Sequence, residues 1–222
     1  MHATADGRVV VLHDATVDRT TNGTGAVKAM SLSALQDLDA GFAFTAADGS
    51  HPFRGQGIRV PTLREVLAAS RDVPLNIEIK QDDPPIVERV LGDLDRFRAR
   101  ERTLLAAEHH HIMERIRSAA PAMLTSSSSA EVADFVFRVR DDLLDDYRPA
   151  AAALQVPPAY EGTPIVTAQS VAVAHRFGLE VHVWTINDEA EMERLLELGI
   201  DALMSDFPER GMAVLRRTGR RA

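Results

Sequence analysis

From Leu75 to Ser205 the chain alternates short apolar runs with longer amphipathic ones, and this alternation limits its fold more than any other feature. The runs Leu75–Lys80, Thr103–Ala107, Ala122–Thr125, Ala152–Val156, Glu180–Ile186 and Ala202–Ser205 read as strands. Between them, apolar residues recur at helical spacing. Ile86, Val87, Val90, Leu91, Leu94 and Phe97 form one stripe, Ile112, Met113 and Ile116 a second, and Val132, Phe135, Val136 and Val139 a third. Val166–Phe177 and Asp188–Leu198 continue the series, stopped by Gly178 and Gly199. Ser128 with Glu131, and Asp188 with Glu191, have the spacing of capping boxes, in which each end of the pair satisfies a helix N-terminal amide. Strands and helices in this order build βα units around a parallel sheet. The rhythm fits a closed barrel and an open doubly wound sheet equally. No glycine-rich loop stands at a strand-to-helix turn, which argues against a dinucleotide-binding sheet.

The first third is less regular. Arg8–His13 (RVVVLH) reads as a further strand, set off by the turn signal Asp6-Gly7. Ser31 is placed to cap a helix carrying Leu32, Leu35 and Leu38, and Thr62 with Glu65 forms another capping box. Residues 41–59 hold several glycines and no period, and read as a small irregular insertion. The basic tail Arg216, Arg217, Arg220 and Arg221 reads as a frayed, solvated terminus.

Composition removes several function classes. A net charge of −8 over 222 residues argues against a nucleic-acid surface. The absence of cysteine excludes disulfides and thiolate metal sites, so any metal must be held by oxygen or imidazole. No run approaches the ~20 apolar residues of a membrane span, so no transmembrane segment is expected. No signal peptide opens the chain, which as it stands reads as cytoplasmic; a longer form could carry an export signal.

Working residues of βα barrels lie at the C-terminal ends of strands. Those positions hold His13-Asp14, Glu78 and Lys80, Glu108 and His109, Gln155, Trp184 with Asn187, and Asp206. His13 reads either as a rim histidine bonded to a neighbour or as a general acid or base. In LNIEIK, Glu78 and Lys80 alternate with Ile77 and Ile79, so both charges share one face. Two charges there are costly unless they pair or bind a ligand. The couple is therefore either structural, or a metal-binding carboxylate beside an ammonium that holds phosphate. Lys80 is one of only two lysines among 25 basic residues. Trp184 either walls a substrate pocket or packs in the core, and Asp206 either lines the site or caps the last turn. His109, His110 and His111 are adjacent, too divergent on a helix to converge on one metal.

Taken in order, the segments TADGRVVVLHDATVDRTTNGTG (4–25), VPTLREVL (60–67), LNIEIK (75–80), VHVWTIND (181–188) and GIDALMSDFPER (199–210) resemble the glycerophosphodiester phosphodiesterase family. The resemblance implies a TIM-type (β/α)8 barrel as a single domain over residues 1–222, with 41–59 as its small insertion. It implies hydrolysis of a small-molecule glycerophosphodiester to an alcohol and glycerol 3-phosphate, with a divalent cation, calcium or magnesium. By the same resemblance His13 is one of two acid–base histidines, Glu78 one of three metal carboxylates, and Lys80 a phosphate contact. Trp184 would line the substrate, with Glu108, His109 and Asp206 as further rim candidates.

The family's His-Arg-Gly motif and its Glu-x-Asp pair are absent from this sequence. The expectation is a barrel lacking its first strand, first helix and most of its second strand, with crippled catalysis. Two alternatives stand beside it. One is a non-catalytic barrel paralogue acting as a binding module. The other is a lysophospholipase D- or sphingomyelinase D-like phosphodiesterase on the same fold.

Overall fold

His2–Ala3 (β1) and Val9–Val10 (β2) pair antiparallel, with His2 opposite Val10 and Ala3 opposite Val9. This hairpin opens the computed structural model, which describes residues 1–220. Contacts divide the chain into two units, Met1–Met123 and Leu124 onward. In the hairpin turn Gly7 has φ 77°, the left-handed region that favours glycine. Beyond β2, Val10 bridges to Thr62 and the Val11 amide donates to the Pro61 carbonyl. The expected strand Arg8–His13 is thus corrected. Only Val9–Val10 is strand, as the return arm of a hairpin, and His13 lies in the irregular stretch that follows. A β-branched run favours extended backbone, but does not say which partner it meets or in which direction.

The remainder of the first unit follows the expected order. Ser31 accepts from the Ala34 amide at the start of Leu32–Gln36 (α1). Residues 41–59 contain neither helix nor strand. Side-chain oxygens of Asp39 accept from the Gly41 and Gly55 amides, and Gly41 lies so close to the Phe53 carbonyl that a Cβ has no room. The Thr62–Glu65 box closes in both directions ahead of Leu63–Ala69 (α2). Leu75–Glu78 (β3) runs parallel to Thr103–Ala106 (β4), with Glu78 opposite Ala106. Val87–Arg96 (α3) and His110–Ala119 (α4) follow these strands. Their apolar stripes bury Val90, Leu94, Met113 and Ile116 with Leu63, Leu67, Ile79 and Leu105. Full burial of each such side chain is worth about 1.5–3 kcal/mol.

The second unit begins with Leu124–Thr125 (β5), a strand as expected. Both halves of the Ser128–Glu131 box form at the start of Ser129–Asp141 (α5). Ala153–Val156 (β6), Glu180–Val183 (β9) and Ala202–Leu203 (β10) make a parallel sheet in the order β10-β9-β6. A short antiparallel hairpin, Ala159–Tyr160 (β7) with Thr163–Pro164 (β8), leaves the end of β6. Ala168–Arg176 (α6), Glu189–Glu197 (α7) and Pro208–Arg217 (α8) complete the unit. Asp188 caps α7, but the Glu191 carboxylate binds Arg194 at 2.7 Å. The basic tail is also corrected. Arg216 and Arg217 belong to α8, where Arg217 pairs with Glu193 and Glu189, while Arg221 lies outside the described residues. Phe135, Val183, Met192, Leu195 and Val214 form the core of this unit.

Candidate active site

His13 stands where the chain leaves the hairpin, with its side chain 73% exposed. Its Nδ1 lies 2.7 Å from Oδ1 of Asp14. Asp14 is gripped in turn by Arg19, whose Nε and a terminal nitrogen approach its two oxygens at 2.6 and 3.1 Å. Arg19 first, then His13, hold the Asp14 carboxyl well below the usual carboxylate range. Asp14 is therefore anionic throughout the range in which an imidazole titrates. An anion facing Nδ1 favours a proton on that nitrogen and leaves Nε2 to exchange protons outward.

Under this group lies His2, which sequence reasoning did not single out. His2 is buried, and its Nε2 is 3.1 Å from the His13 carbonyl oxygen. Burial pushes its imidazole below the ordinary value, against the opposing hydrogen bond to the His13 carbonyl. The His13 carbonyl on His2 brings the His13 segment to β1, against which the end of β3 also lies. The backbone agrees, since the Lys80 amide donates to the Met1 carbonyl at 3.3 Å. Gln81 completes the floor by accepting from the Ala3 amide and donating to the Pro84 carbonyl. Gln81, the polar residue directly after Glu-Ile-Lys, is buried there.

At the end of β3, Lys80 Nζ and Glu78 Oε2 are 2.8 Å apart, and both side chains are partly exposed. Ile77 and Ile79 are buried on the opposite face, as the alternation requires. The two charges meet each other, and the couple remains open to a ligand. Calcium takes about six to eight oxygen ligands and magnesium about six. Among the described residues no three His, Asp or Glu side chains surround one point that could hold a metal. Glu78, with one oxygen committed to Lys80, does not make such a site by itself.

The remaining candidates stand on other elements. His109 is the N-cap of α4 and makes no side-chain cap bond; its ring stacks on His111, which pairs with Asp82 at 2.8 Å. Glu108 is exposed and holds no hydrogen bond or ion pair among the described residues. In the second unit Trp184 is 42% exposed after β9, which rules out the core-packing alternative. Asp206 does not cap α8, whose N-cap is Phe207. It is clasped by Asn187, which donates to its carboxylate at 2.9 Å and accepts from its amide at 3.0 Å.

The sequence pattern of the glycerophosphoryl diester phosphodiesterase family matches residues 1–210. A glycerophosphodiester phosphodiesterase of Caldanaerobacter subterraneus subsp. tengcongensis is 30% identical, over 97% of this chain and 84% of the relative. The glycerophosphoryl diester phosphodiesterase domain of an uncharacterized Mycobacterium tuberculosis protein superposes with TM-score 0.81 at 19% identity, covering 97% of this chain and 85% of that one. An Oleispira antarctica phosphodiesterase, solved with the product sn-glycerol-3-phosphate, superposes with TM-score 0.71 at 22% identity, covering 96% and 82%. These likenesses settle the choice between barrel and open sheet in favour of the TIM-type α/β barrel. The chain belongs to the glycerophosphoryl diester phosphodiesterase family, whose members are phosphoric diester hydrolases.

Proposed function

We propose that this chain is the barrel domain of an enzyme that hydrolyses glycerophosphodiesters to an alcohol and glycerol 3-phosphate. The observation that carries the reading is the Arg19–Asp14–His13 line, which orients an exposed imidazole beside the segment leading to Lys80. His13 is the proton-transfer group. With Nδ1 held by Asp14, the protonated Nε2 gives its proton to the departing alkoxide as a water oxygen bonds to phosphorus and the ester phosphorus–oxygen bond breaks, the proton of that water passing to solvent. Lys80 turns from Glu78 to the nonbridging phosphate oxygens and stabilises their charge. Trp184 walls the substrate, with Glu108, His109 and Asp206 as outer contacts.

Family members generally depend on a divalent cation, and Glu78 is the residue here that would contribute one carboxylate to it. The second histidine and the Glu-x-Asp pair of the family pattern have no counterpart in residues 1–222. Turnover by these residues alone is therefore expected to fall well below that of a relative with the whole set.

The test is release of sn-glycerol 3-phosphate from glycerophosphocholine or glycerophosphoethanolamine, with calcium or magnesium, by the protein expressed with any in-frame upstream sequence. His13→Ala should lower turnover by about two to four orders of magnitude. Turnover that is indifferent to His13→Ala overturns the assignment. A panel including lysophospholipids and sphingomyelin separates this reading from the lysophospholipase D- or sphingomyelinase D-like one, and binding without turnover points to a binding module.

A further inference from the structure

A groove of ≈ 710 Å³ opens in the first unit between the hairpin turn and the helices α2 and α3. Its lining includes four arginines from three elements: Arg8, Arg64, Arg89 and Arg96. Only two carboxylates share it, and both are engaged. Asp93 is buried against Arg64 at 2.6 Å, and Glu65 accepts from the amide and hydroxyl of Thr62. Asp6, whose carboxyl feels the charge of Arg8, accepts from Thr4 and from the Leu32 amide. The guanidinium groups of Arg8, Arg89 and Arg96 hold no hydrogen bond or ion pair among the described residues. In a chain of net charge −8, helix arginines such as Arg64, Arg115, Arg138, Arg194 and Arg217 sit against carboxylates, so four arginines with two engaged acids around one opening are a local reversal of sign.

The shape agrees with the charge. Arg89 and Arg96 are seven residues apart on α3, two helical turns along one face, with Gly92 between them. A glycine inside a helix costs about 0.8–1.0 kcal/mol relative to alanine. A Cβ at Gly92 would meet nothing within 4 Å, so no packing contact explains the glycine. It keeps the strip between the two arginines bare. The guanidinium of Arg89 lies over Gly7 in the hairpin turn, where the missing Cβ leaves it room.

We propose that this groove binds a small anion carrying more than one phosphate charge. Guanidinium forks match phosphate oxygens in paired, charge-assisted hydrogen bonds, and several of them around one groove favour a polyanion over a single monoanion. The proposal is independent of the catalytic reading, since none of these arginines is assigned a part in hydrolysis. The same chemistry is offered by a free diphosphate and by the phosphate headgroups of an anionic lipid surface.

The test titrates the full chain with inorganic diphosphate by calorimetry and, separately, measures its co-sedimentation with phosphatidylcholine vesicles with and without phosphatidic acid. The Arg89→Gln/Arg96→Gln double variant should weaken binding by at least about tenfold, the loss of one charge-assisted pair or more. Its melting temperature should stay close to the parent's, because neither guanidinium has a hydrogen bond or ion pair to lose. Saturable diphosphate binding lost in the variant supports the proposal with a soluble ligand. Binding only to vesicles containing phosphatidic acid, again lost in the variant, supports it with a headgroup. Binding to neither, or binding that survives in the variant, overturns it.

Discussion

The imidazole of His13 is oriented by its own chain neighbour, with Nδ1 2.7 Å from an oxygen of Asp14. Adjacent side chains usually diverge, and here it is Arg19, binding both Asp14 oxygens, that turns the carboxylate back toward the ring. The arrangement makes Asp14 a positioning residue for whatever His13 does.

Asp14 should titrate abnormally. Its folded value lies below the unfolded value of about 3.9, so the stabilisation it brings is in place above that pH. It is lost only as pH falls through the lower folded value. Carbon-detected NMR of the carboxyl group should show this depressed midpoint, and Arg19→Gln should raise it. An ordinary midpoint in the parent protein would mean that the Arg19 grip does not persist in solution.

Lys80 should matter through charge placed at the phosphate. Lys80→Gln is expected to lower kcat/KM by about two to three orders of magnitude, the scale seen when one stabilising donor is removed. Lys80→Arg should recover part of the loss. The same measurement separates the two readings of the couple, because a purely structural pair would show an altered melting temperature with kcat/KM unchanged.

The core of the second unit rests on Phe135, which is 1% exposed and in tilted contact with Tyr147. Phe135→Ala should cost about 3–5 kcal/mol, the usual cost of emptying an aromatic site. Urea denaturation followed by circular dichroism reads this directly. A loss under 1 kcal/mol, about the effect of a surface change, would show that Phe135 is not a packed core residue.

Tyr147 is predicted to ionise late. Burial first, then the charges of Asp134 and Glu131, push its phenol up to about 12. The stability tied to the neutral phenol is complete below the unfolded value of about 10 and is lost as pH rises from there toward the folded value. Phenolate absorbance should therefore show a late step that Tyr147→Phe removes. If that variant leaves the late step in place, the step belongs elsewhere.

Features that depend on a few consecutive residues were legible in the sequence. The boxes at Thr62 and Ser128 and the stops at Gly178 and Gly199 are local, and all four stand in the structure. Glu191 was half right: its amide is capped by Asp188, but Arg194, one turn along, takes the carboxylate. Arg217 looked solvated because Glu189 and Glu193, its partners, are more than twenty residues distant in sequence. The hairpin at 159–164 was missed although Glu161-Gly162, at φ 48° and 79°, is a recognisable turn pair. At the site, strand alternation gave the shared face of Glu78 and Lys80. The buried His2 could not be foreseen, because its role comes from a hairpin that folds the carbonyl of His13 back onto it.

That hairpin also bears on which changes in length the chain tolerates. His13 is delivered by a fold-back whose register is set where His2 faces Val10, and not by the tip. Residues added at Asp6-Gly7 would lengthen the tip and leave His13 where it is. A single deletion between Val10 and His13 would instead draw the imidazole out of line with Asp14 and Arg19. In related sequences, variation in length should therefore gather at the turn and be rare along the return arm.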